Sequence, residues 1–335
     1  MKDIARELGV SVVTVSKVLR NHSDISEETR QRVLKRIKEL NYQPNFAARA
    51  LVTGRTYTVA LIVPDLVHPF FAEVAKGLSS TLRKRSYSLM IASSEEDPAL
   101  ERQEIEQVLA RRLDAIVVAS AQWTVESFRK IEEHRIPYIL IDRQFLGLAA
   151  NFVGVDDEAV GVLATEHLIE AGCRRIAHIR GPELSTGAGR LEGYKRALTA
   201  HGLPLLPNYI VAGKTGDVNS DASGMEAMRH LLACDPRPDG VFCFNDPTAM
   251  GAMNAILEAG LRVPEDVAVI GCGNVRYDSS LRVPLTSVDQ QSAGIGEKAA
   301  KLALSLIESK NTQRPKSILL TPKVVVRSST ARAAR

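Results

Sequence analysis

The segment Gly9–Leu19, with the sequence GVSVVTVSKVL, decides the fold of the N-terminal region. A first helical stretch ends at Leu8, where Gly9 interrupts the apolar periodicity. Ser11 is a favourable N-cap for a second helix, predicted to run to about Leu19. Two helices joined by a glycine-containing turn at this spacing are typical of a helix-turn-helix.

The predicted second helix has two different faces. Val15, Val18 and Leu19 are spaced to pack against neighbouring helices. The opposite face, called the reading face below, consists of Val12, Val13, Ser16 and Lys17. Exposed valines at a helix start are unfavourable in water, and thymine methyls in a DNA major groove are a natural counterpart for them. Spacing alone leaves an alternative open, a three-helix bundle that binds no nucleic acid.

Polar groups and charge agree with DNA binding. The hydroxyls of Ser11, Thr14 and Ser16 lie where a helix start can contact phosphates, and Lys17 can reach guanine as a point charge. Residues 1–56 contain 11 Lys and Arg and 6 Asp and Glu, a net charge of +5, whereas the remaining residues carry −1. The basic excess is confined to the segment predicted to meet a polyanion.

A third helix and a short connecting segment complete the N-terminal region. The third helix is predicted to begin at Ser26 and to end at Pro44, with an apolar stripe formed by Val33, Leu34, Ile37 and Leu40. The segment 45–52 is helix-prone, but at roughly two turns it is too short to be stable alone, so we expect it to form only against a partner. Two interpretations remain open. Either Leu51 of two chains wedges between base steps in the minor groove, or the segment is a plain linker whose leucine packs on the next domain.

From Thr58 onward, apolar runs alternate with amphipathic stretches of helical length, which indicates two successive doubly wound parallel-sheet lobes. Ten runs are predicted to be buried parallel strands, and two later runs are predicted to return to the two lobes. The ten are Val59–Val63, Leu89–Ala92, Ala115–Ala119, Tyr138–Ile141, Phe152–Val155, Ile176–Ile179, Tyr209–Val211, Val241–Phe244, Val267–Ile270 and Thr286–Val288, and the later two are Ile318–Leu320 and Val324–Val326. The predicted fold is therefore an all-α helix-turn-helix head followed by an α/β core.

These patterns predict the following division of the chain. Residues 1–43 form the helix-turn-helix domain, 44–56 a hinge helix and linker, and 57–335 a two-lobed core. Within the core, the N-lobe is expected to comprise about 57–156 and 291–320, and the C-lobe about 157–290 and 321–335.

Polar and aromatic residues follow the carboxyl ends of the predicted strands, where open α/β sheets bind ligands. They are Phe70, Phe71, Trp123, Asp142, Asp156, Arg190, Asn245 and Asp246. Carboxylates, an arginine, an amide and aromatic rings in one cleft suit a small polar or polyhydroxylated ligand.

Structural roles for these residues are open alternatives at this stage. Asp246 would also serve as the cap of a helix beginning near Pro247. Asp142 and Arg143 would also pair with each other or across the lobes. Phe70 and Phe71 would also fit a core, and Trp123 a cleft rim.

Other classes of protein fit less well. The lobes alone would suit a solute-binding protein of a transporter, but residues 1–54 would then have no purpose. An enzyme is not expected, because no nucleophile–base set, P-loop, metal cluster or complete Gly-x-Gly-x-x-Gly motif occurs. We accordingly expect no cofactor and no metal.

Cysteine usage and hydropathy indicate a cytoplasmic protein. The four cysteines, Cys173, Cys234, Cys243 and Cys272, lack metal-site spacing and are expected to be reduced and mostly buried. No apolar run is long enough for a membrane span, and the polar start at Lys2 does not resemble a signal peptide.

The motifs of the chain resemble those of the lactose-repressor (LacI/GalR) family of bacterial transcription regulators. The resemblance runs in order along nearly the whole chain. It rests on Asp3–Leu8, Gly9–Leu19, Ser26–Arg30, Tyr42–Asn45, Ala48–Leu51, Thr53–Thr56, Pro69–Phe71, Asp142–Arg143, Arg190–Tyr194, Asn245–Asp246, Val263–Asp266 and Pro284–Thr286.

This resemblance implies a homodimer on a near-palindromic operator, with lobes of the periplasmic-binding-protein type and a sugar-like or purine-like effector. It implies base reading by positions 12, 13 and 17 and a minor-groove wedge at Leu51. The full predicted DNA-contacting set is Ser11, Val12, Val13, Thr14, Ser16, Lys17, Asn21, Tyr42, Asn45, Ala48, Arg49 and Leu51. The implied effector contacts are Phe70, Phe71, Asp142, Asp156, Arg190, Asn245 and Asp246, to which we add Trp123 and Gly273.

Three positions depart from the family pattern. Lys17 stands where arginine is common, Gly273 where an aspartate is common, and Val218 where an aromatic ring often stacks on the ligand. The departures at Gly273 and Val218 leave three possibilities open: a bulkier effector, a phosphorylated or nitrogenous effector, or no tightly bound effector.

Dimerisation is expected mainly through helices near Pro69–Arg85 and Thr248–Gly260. The lack of a heptad helix after Arg327 favours a dimer over a tetramer.

Overall fold

A computed structural model describes residues 1–19, 23–42, 50, 53–145, 147–213, 217–309 and 314–332. It divides the chain into two units, Met1–Thr56 and Tyr57–Arg335. Within the described residues, none of the helices combines the length and the apolar character needed to cross a membrane.

The N-terminal unit contains three helices, α1 (Lys2–Leu8), α2 (Val12–Leu19) and α3 (Glu27–Glu39). Gly9 ends α1 in the left-handed conformation, with φ of 64°. Ser11 Oγ accepts a hydrogen bond from the Thr14 amide at 2.9 Å, which confirms the predicted N-cap of α2. Ser26 caps α3 in the same way, through the Thr29 amide at 3.4 Å.

The core of this unit is smaller than predicted. Ile4, Ala5, Val15, Val18 and Val33 are buried together. The apolar stripe predicted for α3 is wrong at two positions, because Leu34 and Leu40 are not buried and are each 42% exposed. Leu34 lies about 100° around the helix from Val33, and Leu40 lies beyond the helix, which ends at Glu39 rather than at Pro44.

Only Ala50 and residues 53–56 of the connecting segment are among the described residues. Ala50 and Thr53 are helical, and the Gly54 amide donates to the Ala50 carbonyl at 2.8 Å. Gly54 has φ of 68°, a left-handed conformation that ends the turn. The predicted DNA-contacting residues Asn21, Asn45, Ala48, Arg49 and Leu51 lie outside the described residues.

The first sheet of the core is entirely parallel and carries two helices on each face. Its strands are β1 (Thr58–Val63), β2 (Ser88–Ser93), β3 (Ala115–Val118), β4 (Tyr138–Ile141), β5 (Asn151–Val155) and β11 (Ser317–Leu320), in the order β11-β5-β4-β3-β1-β2. Helices α4 (Pro69–Arg83) and α11 (Ser292–Glu308) cover one face. Helices α5 (Pro98–Ala110) and α6 (Glu126–Glu133) cover the other.

The second sheet repeats this plan with one reversed strand. Its strands are β6 (Ile176–Arg180), β7 (Ile210–Ala212), β8 (Gly240–Cys243), β9 (Ala268–Cys272), β10 (Thr286–Asp289) and β12 (Lys323–Val325), in the order β12-β10-β9-β8-β6-β7. Strand β12 is antiparallel to β10, and the other pairs are parallel. Helices α7 (Asp157–Glu170) and α8 (Ser185–Ala200) cover one face, and α9 (Ser220–Leu232) and α10 (Asp246–Glu258) the other.

The chain passes between the lobes three times, after β5, after β10 and after β11. Three 3₁₀ turns complete the second lobe, at Pro207–Tyr209, Arg276–Ser280 and Ser328–Thr330. Both sheets therefore direct the carboxyl ends of their parallel strands toward loops that meet at one cleft.

The twelve predicted strands are present, with three local differences. Strands β2 and β7 are edge strands, not buried ones, since Ile91 is 43% exposed and Ile210 and Val211 are only half-buried. Tyr209 belongs to a 3₁₀ turn, and β12 ends before Val326, which is exposed. Cys173, Cys243 and Cys272 are buried free thiols and Cys234 is half-buried.

Candidate DNA-reading surface and effector cleft

The reading face is at the surface of the N-terminal unit. Val12 is 40% exposed and Val13 is 61% exposed, whereas Val15 and Val18 on the opposite face are buried. The exposed apolar area of the two valines contributes nothing to the stability of the fold, because only buried apolar area does so. The reading face of α2 therefore begins with two apolar side chains and continues with the polar side chains of Ser16 and Lys17.

Lys17 is held by an ion pair. Its Nζ donates to the Asp24 carboxylate in the loop before α3. Neither side chain is buried, and ion pairs of this kind contribute about 0–1 kcal/mol. Lys17 can therefore exchange Asp24 for another acceptor at little cost.

The remaining described members of the predicted DNA-contacting set lie around the same helix. Ser11 Oγ also hydrogen bonds Thr14 Oγ1 at 2.8 Å, so both hydroxyls stand at the start of α2. Tyr42 packs against the small core as a half-buried side chain. The start of α2 thus presents backbone amides and these two hydroxyls beside the exposed valines, an arrangement suited to a phosphate.

In the core, a narrow cavity lies between the lobes. Five of the predicted effector residues line it, namely Phe70, Phe71, Asp142, Arg190 and Asn245. Five residues that the sequence analysis did not assign to the effector line it too, namely His68, Asp217, Phe244, Cys272 and Gln290.

Arg190 is the most heavily engaged of these side chains. Its guanidinium donates to Asp157 at 3.0 Å, to the Phe244 carbonyl at 2.7 Å and to Gln290 at 3.2 Å. It also lies 4.7 Å from the centre of the Phe244 ring. Arg190 is thus fixed in place by the second lobe, with its planar group at the cavity wall.

Among the carboxyl groups that line the cavity, Asp142 has the pKa closest to neutral pH. It follows β4 in the left-handed conformation, with φ of 61°. Burial raises its pKa to about 7, against the opposing attraction of Arg190 and Arg143. Asp142 can therefore accept or donate a hydrogen bond near neutral pH.

Arg143, the neighbour of Asp142, bridges the two lobes. It donates to Asp217 of the second lobe at 2.6 Å, and to Glu96 of the first at 2.8 Å. The Asn245 amide also donates to Asp217, at 3.1 Å, and His68 Nε2 lies 3.6 Å from the same carboxylate. The predicted alternative of pairing across the lobes therefore holds for Arg143, while Asp142 lies 3.8 Å from its Nε.

Phe70 and Phe71 have both of the roles that the sequence left open. They lie in the first turn of α4, are buried in the core and also line the cavity. Their rings are 5.1 Å apart in an edge-to-face arrangement, and the His68 ring lies 5.5 Å from that of Phe71. These three rings form an aromatic wall of the cavity.

The structure does not bring Trp123 or Asp156 to the described lining of the cavity. Trp123 is 62% exposed. Asp156 is exposed and caps α7, accepting from the amides of Glu158 and Ala159 at 3.0 and 3.1 Å. The carboxylate that reaches the cavity wall is that of the next residue, Asp157, through Arg190.

Asp246 and Gly273 also lie apart from the described cavity lining. The helix cap predicted for Asp246 is formed by Asn245, which accepts from the Thr248 amide at 2.9 Å. Asp246 turns toward β9 and β10, where it accepts from Ser287 Oγ at 2.6 Å and the Val275 amide at 3.0 Å. A Cβ atom at position 273 would lie 2.8 Å from Asp246 Oδ2, so the glycine leaves room for this carboxylate.

Asp246 shares its surroundings with a second buried carboxyl group, Asp278. Both Asp278 oxygens are buried without a hydrogen-bond donor among the described residues, although Arg327 Nη1 lies 3.7 Å from Oδ2, and the Asp246 carboxylate is within hydrogen-bonding reach. Burial, followed by repulsion from Asp246, raises the pKa of Asp278 to about 9. Asp278 is therefore the protonated partner of this pair at neutral pH.

Three of the lining residues that the sequence did not lead us to also lie at the carboxyl ends of strands, where the predicted ones lie. His68 lies after β1, Asp217 after β7 and Gln290 after β10. A complete application of the carboxyl-end rule would have included all three. Val218, flagged for its unusual identity, is half-buried and is not among the described lining residues.

Comparison with known proteins identifies both units. Residues 1–45 match the family model described as bacterial regulatory proteins, lacI family, and residues 165–330 match the periplasmic binding protein-like domain. The chain is 32% identical over 335 residues to the HTH-type transcriptional repressor PurR of Haemophilus influenzae (strain PittEE), covering 98% of each protein.

Two solved structures are similar to this protein over nearly its whole length. A complex of the transcriptional regulator CelR with cellobiose is 32% identical, with a TM-score of 0.75 over 97% of this chain and 98% of that one. The lac repressor dimer bound to operator and the anti-inducer ONPF shares the fold, with a TM-score of 0.85 over 98% of both chains at 24% identity. The chain therefore belongs to the lacI family of bacterial regulatory proteins, which are DNA-binding transcription regulators.

Proposed function

We propose that this protein is a repressor that binds a near-palindromic operator as a homodimer, with an affinity set by a small polar effector in the cleft. The observation that carries the proposal is the reading face. Val12 and Val13 are exposed at the start of a capped helix, with Ser16 and Lys17 beside them. This surface has the size and chemistry of a major-groove reader, in which valines meet thymine methyls and Lys17 meets a guanine.

We propose the domain division that the sequence predicts. Residues 1–43 read DNA, 44–56 form the hinge, and 57–335 form the core. The family match over residues 1–45 and the division between Thr56 and Tyr57 support these boundaries. The distribution of strands between the two sheets supports the lobes at 57–156 with 291–320, and at 157–290 with 321–335.

Dimerisation is proposed through α4 and α10, one helix from each lobe. A palindromic operator requires two reading heads related by twofold symmetry and spaced by about one helical turn of DNA, roughly 34–36 Å. The related lac repressor is described as a dimer on its operator. We place this protein in the cytoplasm with its DNA.

The effector would act by changing the arrangement of the lobes, and with it the spacing of the two hinge segments. CelR is described in complex with cellobiose, which supports a sugar-like or related polar ligand for the cleft. A tenfold change in operator affinity requires the effector to prefer one arrangement by about 1.4 kcal/mol. Preference for the DNA-binding arrangement makes it a corepressor, and preference for the other makes it an inducer.

A selection from random duplex DNA with the full-length protein tests the proposal. We expect enrichment of a near-palindrome, and a steep loss of affinity for it as salt is raised from 50 to 200 mM. Lys17→Ala should weaken binding to the palindrome by about 1–3 kcal/mol and binding to random DNA much less.

The matched control is Lys35→Ala, which removes an equal charge from the exposed surface of α3 outside the reading face. It should lower both affinities slightly and equally. Failure to enrich any duplex, together with tight binding of a sugar, would favour a solute-binding protein and refute the proposal.

A further inference from the structure

Two hydrogen-bond donors of the cleft converge on one carboxylate, with an imidazole beside them. Asp217 Oδ2 accepts from Arg143 at 2.6 Å and Oδ1 accepts from Asn245 at 3.1 Å, while His68 Nε2 lies 3.6 Å from Oδ1 and 3.2 Å from the Asn245 amide nitrogen. We call Arg143, Asn245 and His68 the anion triad. All three side chains are buried. His68 and Arg143 come from the first lobe, and Asn245 and Asp217 from the second, where Asp217 lies in the loop between β7 and α9.

The anion triad binds the charged form of Asp217 strongly. Burial alone would raise the pKa of this carboxyl, but the attraction of His68 and Arg143 outweighs burial and the pKa lies below its ordinary value. Asp217 therefore behaves as a bound anion at all physiological pH values.

The anion triad also has binding capacity that Asp217 does not use. Arg143 holds Asp217 through one terminal nitrogen, and this nitrogen also serves Glu96. The buried Arg143 Nε and His68 Nδ1 have no hydrogen-bond partner among the described residues. An arginine binds a carboxylate or phosphate best through two parallel N–H groups, so the site is only partly satisfied by Asp217.

The cavity is too small for most ligands while Asp217 occupies it. The space left inside it is about 10 Å³, roughly what a single water molecule needs, whereas typical ligand sites have roughly 300–1,000 Å³. A ligand that displaces Asp217 must replace its charge, because a buried arginine and amide that lose an acceptor are costly, and Arg143 would keep only Glu96 and the Ser120 carbonyl. An acid does this directly, and a neutral molecule does it only in part.

From these observations we infer that Asp217 is an internal ligand of the cleft and that the effector is a small acid, a carboxylate or phosphate compound, which takes its place on Arg143, Asn245 and His68. This inference rests on the proposed function, since it assigns the effector class of the same cleft. The bridge from Arg143 to Asp217 then joins the lobes in the absence of effector. The effector would exchange that bridge for its own contacts.

Removal of the internal ligand provides the test. In full-length Asp217→Ala, acetate and inorganic phosphate should each raise the melting temperature in a saturable way, at ionic strength held constant with sodium chloride. We expect each anion to bind this variant at least tenfold more tightly than the native chain. Acetate and phosphate distinguish the two kinds of acid, because a carboxylate site prefers the first and a phosphate site the second.

Two variants serve as controls. Asp221→Ala removes an exposed carboxylate near the start of α9 and should respond to the anions as the native chain does. The double variant Asp217→Ala/Arg143→Gln should lose the response. If Asp217→Ala does not fold, Asp217→Asn keeps the size of the side chain without its charge, and the same tenfold gain is expected.

The inference is overturned if the anions stabilise Asp217→Ala no more than Asp221→Ala, or if the double variant still responds. It is also overturned if cellobiose stabilises the native chain while neither anion stabilises the Asp217 variants. Operator binding by the native chain is measured in parallel. Its presence with a failed anion response rejects only the acidic effector, whereas its absence rejects the proposed function itself.

Discussion

The buried pair Asp246 and Asp278 makes the stability of the second lobe dependent on pH in a predictable direction. The folded protein keeps the proton of Asp278 up to a pKa of about 9, whereas an unfolded aspartate releases it near 3.8. Between these values the folded state binds the extra proton. The free energy of unfolding therefore falls as pH rises, by up to about 1.4 kcal/mol per pH unit.

Asp278→Asn removes this proton requirement and keeps a hydrogen-bond donor for Asp246. The full pKa shift would correspond to about 4 kcal/mol at pH 7. Relaxation and partial hydration reduce such values in proteins, so we expect a gain of about 1–2 kcal/mol at pH 7–8 that shrinks toward zero near pH 4. The sign is unusual, because most substitutions of buried polar groups destabilise.

Urea unfolding of the full chain, followed by far-ultraviolet circular dichroism at pH 5, 6, 7 and 8, measures the effect. Asp221→Asn, which removes an exposed carboxylate, is the control and should follow the pH profile of the native chain. The reasoning fails if Asp278→Asn keeps the native pH slope, or if it is destabilised equally at every pH. Either result would mean that Asp278 is not protonated in the folded protein.

Three further substitutions probe the function. Lys17→Ala should cost about 1–3 kcal/mol on the selected operator but little on random DNA, and equal losses in a competition titration would reject Lys17 as a base reader. Leu51→Ala should reduce both affinity and DNA bending, and an unchanged bend angle in a circular-permutation assay would remove the wedge role. Arg190→Lys keeps a charge near Asp157 but loses the planar fork that reaches Phe244 and Gln290. It should reduce the effector response at least tenfold with operator binding intact, and a native dose–response curve would place the ligand elsewhere.

Most of the fold was predictable because its signals are local. The apolar runs from Val59 to Val326 are bounded by turn residues, and each one became a strand or the greater part of one. Ser11 and Ser26 were recognisable as caps because a helix start needs a side-chain acceptor within three residues. The reading face was predictable for the same reason, since helical spacing separates Val12 and Val13 from Val15 and Val18.

The location of the cleft was predictable from the sequence, but the full set of side chains that line it was not. The carboxyl-end rule led to Phe70, Phe71, Asp142, Arg190 and Asn245, because strand order alone brings those loops together. It did not decide between Asp156 and its neighbour, since either carboxylate follows β5 and one of them was needed as a helix cap.

The sequence by itself determined the order of helices and strands, the exposed face of α2 and the end of the core at which a ligand would bind, because periodicity and capping act over a few residues. Only the tertiary structure decided which buried charges meet. Asp246 turned to Asp278, and Arg143 met Asp217, 74 residues further along the chain. Such pairs form because a buried charge is stable only beside a partner, and the packing of the lobes decides which residue that partner is. A local sequence pattern cannot show which residues far apart in the chain will meet.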